Sequence, residues 1–189
     1  MTDWVSHPQI CRAAELLQQQ AVVAYPTESV WGLGCDPWSA SAVEKILQLK
    51  SRNVDKGLIL IADCIERFAP FLAGLEEEQL LRFQTLTAKP TTWLVPNNGV
   101  APLWITGGRD TLALRVTGHP VAAALCALIS GPLVSTSANP QGLPAAKSAA
   151  EVAGYFGDAI VMQTPGQVGS SAKPSEIRYL ISGEIVREG

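Results

Sequence analysis

The sequence is poor in the residues on which many enzymes depend. Among its 189 residues are only two histidines, His7 and His119, and four cysteines that form no C-x-x-C pair. Two histidines leave little scope for a Ser-His-Asp arrangement, and without clustered cysteines a zinc site is not expected. The scattered cysteines are instead typical of reduced core thiols in a cytosolic protein. They are Cys11, Cys35, Cys64 and Cys126.

Several familiar signatures are also missing. The chain has no G-x-x-x-x-G-K-[ST] and no G-x-S-x-G, which argues against a P-loop enzyme and an α/β-hydrolase. Gly32 and Gly34 supply only the first half of a dinucleotide fingerprint, so a Rossmann site is rejected. No apolar run approaches membrane-spanning length, and the N-terminus lacks the basic and apolar regions of a signal peptide. We therefore expect a cytoplasmic protein that makes no membrane contact.

The composition favours one core and a small anionic ligand. Hydrophobic residues make up 47% of the chain, enough for a single domain over residues 1–189. The net charge of -3 gives no bulk argument for binding nucleic acid or an anionic membrane. Lys50, Arg52 and Lys56 nevertheless stand close together. A local basic pocket on a mildly acidic protein suits a small anion better than a long polyanion.

Predicted strands alternate with predicted helices along most of the chain. Strands are predicted at residues 21–25, 57–61, 92–95, 111–116, 159–162, 175–179 and 184–187, and from residue 133. Helices are predicted from Ser6 or Pro8, from a cap at Ser39, from Asp63, and at residues 76–83, 120–129 and 148–156. This alternation predicts an α/β fold, with helices packed against a mixed, twisted sheet. Residues 31–35 are predicted as a glycine-bearing turn, and residues 96–109 and 164–174 as mobile surface loops.

Residues 133–140 form a short apolar run that ends in three hydroxyls and one amide. We interpret this polar part as too hydrophilic to continue a buried strand and as a turn before a helix. Ser135, Ser137 and Asn139 in such a turn would suit an anionic or polyhydroxyl ligand. The alternative is that they only build the turn and cap the helix.

Five cationic positions leave a similar choice open between a ligand site and a structural role. The cations Lys50, Arg52 and Lys56 could bind an anion, or could be a solvated helix end that favours the helix dipole. Arg115 interrupts an apolar strand, so it needs a distant carboxylate or points into a ligand cavity. Arg187 poses the same question, with an edge-strand charge as the alternative.

Taken together, these segments resemble the signatures of the YrdC-like threonylcarbamoyl-AMP synthases. Residues 26–34 resemble the P-T-E-[TS]-x-[YFW]-G-[LV]-G opening of that family. The further matches, in order, are Lys50-x-Arg52, Leu114-Arg115-Val116 with His119-Pro120, Ser137-x-Asn139, and Ser175-Glu176-Ile177 with the ending at residues 186–189. The resemblance covers nearly the whole chain and is to the short bacterial form.

The resemblance implies a fold, a reaction and a set of roles. It implies a YrdC-like twisted sheet around a broad basic cavity. The implied reaction joins L-threonine, bicarbonate and ATP into threonylcarbamoyl-AMP, which a separate transferase complex uses for the t6A modification of tRNA. Mg²⁺ is expected on the phosphates of ATP, without a carboxylate cage. The catalytic pair would be Lys50 and Arg52. The ATP-binding residues would be Lys50, Arg52, Lys56, Thr111, Ser137, Asn139 and Arg187. The threonine-binding residues would be Thr27, Ser29, Arg115, Ser135 and Ser175.

Some positions depart from the family pattern, and two other functions compete. The departures are Asn53, Ile61, residues 89–91 and Ala145. The first competing function is that of a double-stranded RNA-binding or ribosome-maturation factor, against which the acidic net charge argues. The second is a carbamoyl-transfer module, which resembles hydrogenase maturation proteins but would need acylphosphatase and zinc-finger segments that are missing here. Weak binding of double-stranded RNA or tRNA is expected at most.

Overall fold

A nine-stranded mixed sheet organises the part of the chain that the computed structural model describes, residues 2–85, 89–171 and 173–189. The α-helices are α1 (Pro8–Gln18), α2 (Ala40–Lys50), α3 (Ala69–Leu72), α4 (Glu77–Gln84), α5 (Leu103–Thr106), α6 (Pro120–Ile129) and α7 (Ala149–Phe156). The strands are β1 (Val23–Pro26), β2 (Trp31–Gly34), β3 (Ile59–Ala62), β4 (Thr91–Pro96), β5 (Thr111–Val116), β6 (Leu133–Ser137), β7 (Met162–Gln163), β8 (Glu176–Tyr179) and β9 (Ile185–Arg187). Short 3-10 helices are Val54–Lys56, Ile65–Phe68 and Gly157–Ala159.

The strand order is β7-β1-β2-β6-β3-β5-β4-β8-β9. The pairs β1–β7, β3–β5 and β4–β8 are parallel, and the other neighbours are antiparallel. This order confirms the predicted mixed sheet. It also brings β6, which is late in the chain, between β2 and β3 near the middle of the sheet.

Helices cover both faces of the sheet, because successive strand residues point to opposite sides. Val23 and Tyr25 of β1 pack with α1 and α6 in one buried cluster. Ala24, between them, belongs to a second cluster that includes Ile46 of α2 and Val152 of α7. The single run of apolar residues in β1 therefore serves two cores.

The predicted helix starts are largely confirmed. The Ser39 hydroxyl accepts a hydrogen bond from the Ala42 amide and caps α2, as predicted. Helix α6 begins at Pro120, directly after His119. At α1 the capping side chain is His7, whose Nδ1 accepts from the Gln9 amide, and not Ser6. The segment after Asp63 is a 3-10 helix followed by the single turn α3, and not one longer helix.

The prediction of a turn at residues 31–35 is wrong, because Trp31–Gly34 is the buried strand β2. A Cβ on Gly34 would lie 2.7 Å from both the Tyr25 ring and the Val134 carbonyl oxygen. Glycine is therefore present because the neighbouring chains approach so closely, and not because the chain turns.

Two further predictions are corrected. Strand β6 continues through Ser137, so the hydroxyl residues are part of the sheet, and the next helix, α7, begins only at Ala149. The predicted surface loop at residues 96–109 contains α5, whose Ile105 is fully buried. Cys35 and Cys126 are core thiols as predicted, but Cys11 and Cys64 are partly exposed. Among the described residues, no helix has the length and apolar character needed to cross a membrane.

Candidate functional site

Three arginines from distant parts of the chain converge on one cavity of about 240 Å³. We call it the arginine cavity, after Arg52, Arg115 and Arg187. Its wall also carries small hydroxyl residues and a few apolar ones. The full lining is Thr27, Ser29, Val30, Gly32, Arg52, Leu58, Ile59, Arg115, Ser135, Thr136, Ser137, Ala145, Pro174, Ser175 and Arg187.

Cavity size alone does not select this site. A recess of about 480 Å³ includes Phe83 and Trp93, and one of about 340 Å³ includes Trp38 and Phe71. Neither collects several cations around hydroxyl groups. The chemistry of the lining, rather than volume, therefore identifies the arginine cavity as the candidate site.

The sheet topology explains why these residues meet. Ser135 of β6 pairs with Ile59 of β3, and Ser137 pairs with Gly32 of β2. Residues two apart on a strand share a face, so the hydroxyls of Ser135 and Ser137 point into the same space. The apolar run of β6 thus carries the polar end of the strand into the cavity.

Arg115 both lines the cavity and has a distant carboxylate, so both predicted explanations hold. Its Nη2 lies 3.8 Å from Oε2 of Glu28, a distance at which the charges interact but no hydrogen bond forms. The other oxygen of Glu28 accepts hydrogen bonds from the Thr117 hydroxyl at 2.7 Å and from the Gly118 amide at 3.0 Å. Burial acts to raise the pKa of Glu28, but the Arg115 charge and these hydrogen bonds outweigh it. The net effect lowers the pKa, so the carboxylate is ionised.

Arg52 and Arg187 are held by backbone carbonyls and lack a carboxylate partner among the described residues. Arg52 Nη2 donates to the Gly57 carbonyl at 2.9 Å, while its buried Nε has no hydrogen-bond partner in the described chain. Arg187 Nη2 donates to the Ser175 carbonyl at 2.7 Å. Burial, and then the nearby charges of Arg109 and Arg115 respectively, lower the pKa of these two guanidinium groups. Three clustered cations with one carboxylate favour an anionic ligand.

Lys50 lies behind the cavity wall rather than in it. Its Nζ donates to the carbonyl oxygens of Ser137 and Asn139, the latter at 2.8 Å, and to Oδ1 of Asn139 at 3.3 Å. The side chain is almost fully buried, and burial followed by the charge of Arg52 lowers its pKa to about 8. Lys50 thereby ties the end of α2 to the end of β6, which presents Ser137.

Eight of the twelve predicted site residues line the arginine cavity: Thr27, Ser29, Arg52, Arg115, Ser135, Ser137, Ser175 and Arg187. Lys50, Lys56, Thr111 and Asn139 do not. Asn139 accepts a hydrogen bond from the Ser137 hydroxyl, so it belongs to the surroundings of the cavity. Lys56 is exposed and donates to the Gln141 side chain, and Thr111 lies at the start of β5 opposite Pro96.

The three cations of residues 50–56 do not simply face one another across an empty site. Lys50, Arg52 and Lys56 each donate to a different oxygen group, as described above. The turn also rests on α5, since the Leu58 amide donates to the Ile105 carbonyl and a Cβ on Gly107 would lie 2.6 Å from the Val54 carbonyl oxygen. This packing holds the turn in shape.

Sequence reasoning missed Glu28, although it lies within the recognised segment at residues 26–34. A carboxylate did not fit the expected anion site, and the only available signal was an acid placed between Thr27 and Ser29 at the end of a buried strand. Of the departures from the family pattern, Ala145 lines the cavity, Ile61 is buried in the core, and Asn53 caps a 3-10 helix.

Comparison with known proteins gives matches over nearly the whole chain. A family model covering Sua5, YciO and YrdC, described as telomere recombination, matches residues 15–189. A protein of Cellvibrio japonicus named threonylcarbamoyl-AMP synthase is 49% identical over 187 residues, which cover 99% of each chain. A protein of Pseudomonas putida with the same name is 50% identical over 185 residues, covering 98% of this chain and all of the relative.

Solved structures share the fold. Sua5 of P. abyssi in complex with L-threonine has a TM-score of 0.83 and 32% identity over 90% of this chain, which spans half the length of that protein. YciO of E. coli has a TM-score of 0.82 at 22% identity, covering 95% of this chain and 88% of that one. The second likeness supports the fold alone.

Proposed function

The chain belongs to the Sua5, YciO and YrdC family, and from this premise we propose that it is a threonylcarbamoyl-AMP synthase. It converts L-threonine, bicarbonate or CO2, and ATP into threonylcarbamoyl-AMP and pyrophosphate. The observation that carries this proposal is the convergence of Arg52, Arg115 and Arg187 with hydroxyl residues on one cavity. Relatives of nearly the same length are named threonylcarbamoyl-AMP synthase.

The reaction suits a site with no catalytic histidine. The neutral amine of threonine adds to CO2 and loses a proton, which gives a carbamate. A carbamate oxygen then attacks the α-phosphorus of ATP, and the bond to the leaving pyrophosphate breaks. Because the carbamate is already an anionic nucleophile, the protein mainly has to hold two anions together and stabilise charge on the phosphates. Clustered guanidinium groups are suited to that task.

We assign the roles according to the position of each group. Arg52, Arg187 and Ser137 hold the phosphates of ATP from within the cavity, with Asn139 and Lys50 behind Ser137 and with Lys56 and Thr111 outside the cavity lining. Of the predicted catalytic pair, Arg52 stabilises phosphate charge directly, whereas Lys50 is a positioning residue that acts through Ser137. Threonine and its carbamate are held by the other five predicted residues that line the cavity: Thr27, Ser29, Arg115, Ser135 and Ser175.

Magnesium enters this scheme as part of the MgATP substrate. The cavity lining offers hydroxyl, guanidinium and backbone groups, and Glu28 is committed to Thr117, Gly118 and Arg115. Mg²⁺ commonly keeps several waters and binds through the phosphates of its nucleotide, which requires few protein ligands.

The product and its use suggest the partners. Threonylcarbamoyl-AMP would pass to a separate threonylcarbamoyl transferase complex, which modifies tRNA to t6A. We place this work in the cytoplasm because tRNA is modified there. Direct contact with tRNA or double-stranded RNA is proposed to be weak, since the protein has a net charge of -3.

Release of pyrophosphate tests the proposed function. The purified protein is incubated with MgATP, with threonine and bicarbonate supplied together, separately, or not at all. We expect pyrophosphate only when all three substrates are present, because the nucleophile does not exist otherwise. Robust release from MgATP alone would point to a nucleotidase and would contradict the proposal.

A further inference from the structure

Glu28 is a carboxylate beside a cavity built for anions, which calls for an explanation. Its side chain is 15% exposed and that of Arg115 is 10% exposed, so the pair is largely withdrawn from water. The carboxylate oxygen Oε2, which faces Arg115, is buried and has no hydrogen-bond partner in the described chain. Burying a carboxylate oxygen that accepts no hydrogen bond costs free energy, which a nearby opposite charge can offset.

The main chain at Glu28 connects two segments that surround the arginine cavity. Its carbonyl accepts from the Ser171 amide at 3.0 Å, and the Thr27 carbonyl accepts from the Gly169 amide at 2.9 Å. A Cβ on Gly169 would lie 2.9 Å from the Glu28 carbonyl oxygen, so the two backbones are in direct contact. The same segment continues to Pro174 and Ser175, which line the cavity.

The side chain of Glu28 connects to a third segment, the one after β5. Thr117 and Gly118 both donate to its Oε1, which fixes the plane of the carboxylate. Its Oε2 then faces Arg115 at 3.8 Å. Glu28 thus holds a fixed negative charge beside the guanidinium without occupying its hydrogen-bond donors.

We propose that Glu28 is a positioning residue that holds Arg115 ready for the α-carboxylate of an amino-acid substrate. The proposal rests on the proposed function and adds a residue to its threonine site. The Arg115 Nε is buried and has no hydrogen-bond partner in the described chain, so no hydrogen bond fixes the guanidinium from that side. Arg187 lies near enough to repel it. Glu28 offsets that repulsion, while the 3.8 Å gap leaves the planar fork free for a bidentate ligand.

The variant Glu28→Gln tests this role, because it removes the charge and keeps the size of the side chain. We expect the KM for threonine to rise by roughly tenfold, since a charge-assisted bidentate contact loses its alignment. The KM for MgATP should change by a smaller factor, because no hydrogen bond or ion pair joins Glu28 to Arg52 or Arg187. Glu28→Asp keeps the charge and should recover part of the loss. Glu44→Gln, an exposed carboxylate on α2, is the matched control and should match the wild type.

A combination of variants separates positioning from a general structural effect. If Glu28 acts through Arg115, then Glu28→Gln should have no further effect on threonine KM in an Arg115→Ala protein. Thr117→Val removes one donor to the carboxylate and should raise the threonine KM in the same direction, by a smaller factor. It serves as the second variant if Glu28→Gln does not fold.

Calorimetric titration of the folded protein with L-threonine alone measures the same step without turnover. We expect the Kd of Glu28→Gln to rise by roughly tenfold relative to the wild type. Equal increases in both KM values, additive effects with Arg115→Ala, or an unchanged Kd would each overturn the role of Glu28. A wild-type protein that binds threonine but forms no pyrophosphate would contradict the proposed function and leave the Kd comparison to decide on Glu28. A wild-type protein that does not bind threonine would overturn both.

Discussion

The loss of the Arg52 side chain should lower activity strongly while the protein still folds. It is a half-buried cation whose Nε has no hydrogen-bond partner in the described chain, so Arg52→Ala should leave the free energy of unfolding unchanged or slightly higher. The proposed contact of Arg52 with phosphate is charge-assisted and worth about 1.5–3 kcal/mol, so kcat/KM for MgATP should fall by about tenfold or more. Arg52→Lys should restore only part, because lysine lacks the planar fork.

The control for Arg52 is Arg12→Ala on α1, which removes a 56% exposed guanidinium that pairs with Glu15 on the same helix. That variant should have wild-type kinetics, since surface pairs contribute little. Steady-state kinetics and chemical denaturation measure both quantities. Wild-type rate and MgATP affinity in Arg52→Ala would refute the role assigned to Arg52.

Lys50 should make the stability of the protein rise with pH in the alkaline range, because its amine loses its proton more readily in the folded protein than in the unfolded chain. Burial lowers its pKa in the folded protein to about 8 from 10.5 in the unfolded chain. Between these values the unfolded chain binds more protons, so the free energy of unfolding rises with pH. Below pH 8 both states are protonated, and the contribution is constant. Between pH 8 and 10 the wild type should gain about 2 kcal/mol relative to Lys50→Met.

The comparison with Lys50→Met isolates this one group. The other titratable groups are common to both proteins and cancel in the difference. Urea denaturation of both proteins at pH 8, 9 and 10 provides the measurement. A difference that does not vary with pH would show that the amine keeps an ordinary pKa in the folded state.

At the scale of elements, β2 should tolerate an added methyl group at one glycine and not at the other. A Cβ on Gly34 would lie 2.7 Å from the Val134 backbone oxygen, whereas on Gly32 its nearest contacts are 3.4–3.5 Å away. Gly34→Ala should therefore lower the free energy of unfolding by about 1–3 kcal/mol, as overpacking does. Gly32→Ala should lower it by less than about 1 kcal/mol. Equal losses, measured by urea denaturation, would contradict the strand packing described here.

The elements that the sequence predicted best are those with a local signal. Helix α2 has a capping serine and a regular apolar face, and β5 is a plain apolar run around Arg115. Strand β2 was missed because its two glycines are required by the close approach of Tyr25 and Val134, which come from distant parts of the chain. The hydroxyl end of β6 was likewise placed outside the sheet, because its pairing with β2 and β3 is not visible locally.

The contrast between local signals and long-range contacts also explains which site residues could be predicted. Arg115 stood out because a cation in an apolar strand needs a partner, while the partner itself, Glu28, comes from a segment 87 positions away. The motif resemblance collected residues around one cavity, but it could not show that Lys50 supports the end of β6 from behind. Burial and donor geometry decide that distinction.

At the scale of the whole molecule, a net charge of -3 limits binding to nucleic acid. We expect a short double-stranded RNA to bind weakly at about 50 mM salt and to be released by about 200 mM, as non-specific phosphate contacts are. Fluorescence anisotropy of labelled RNA over that range measures the effect. Tight binding that persists at high salt would favour an RNA-binding function instead.

Incorporation of isotope from bicarbonate tests the central claim most directly. The protein is incubated with MgATP, L-threonine and ¹³C-labelled bicarbonate, and the nucleotide products are analysed by mass spectrometry beside a reaction with Arg52→Ala. We predict threonylcarbamoyl-AMP that carries the label in its carbamoyl carbon, with much less product from the variant. Nucleotide turnover by the wild type without labelled threonylcarbamoyl-AMP would contradict the account.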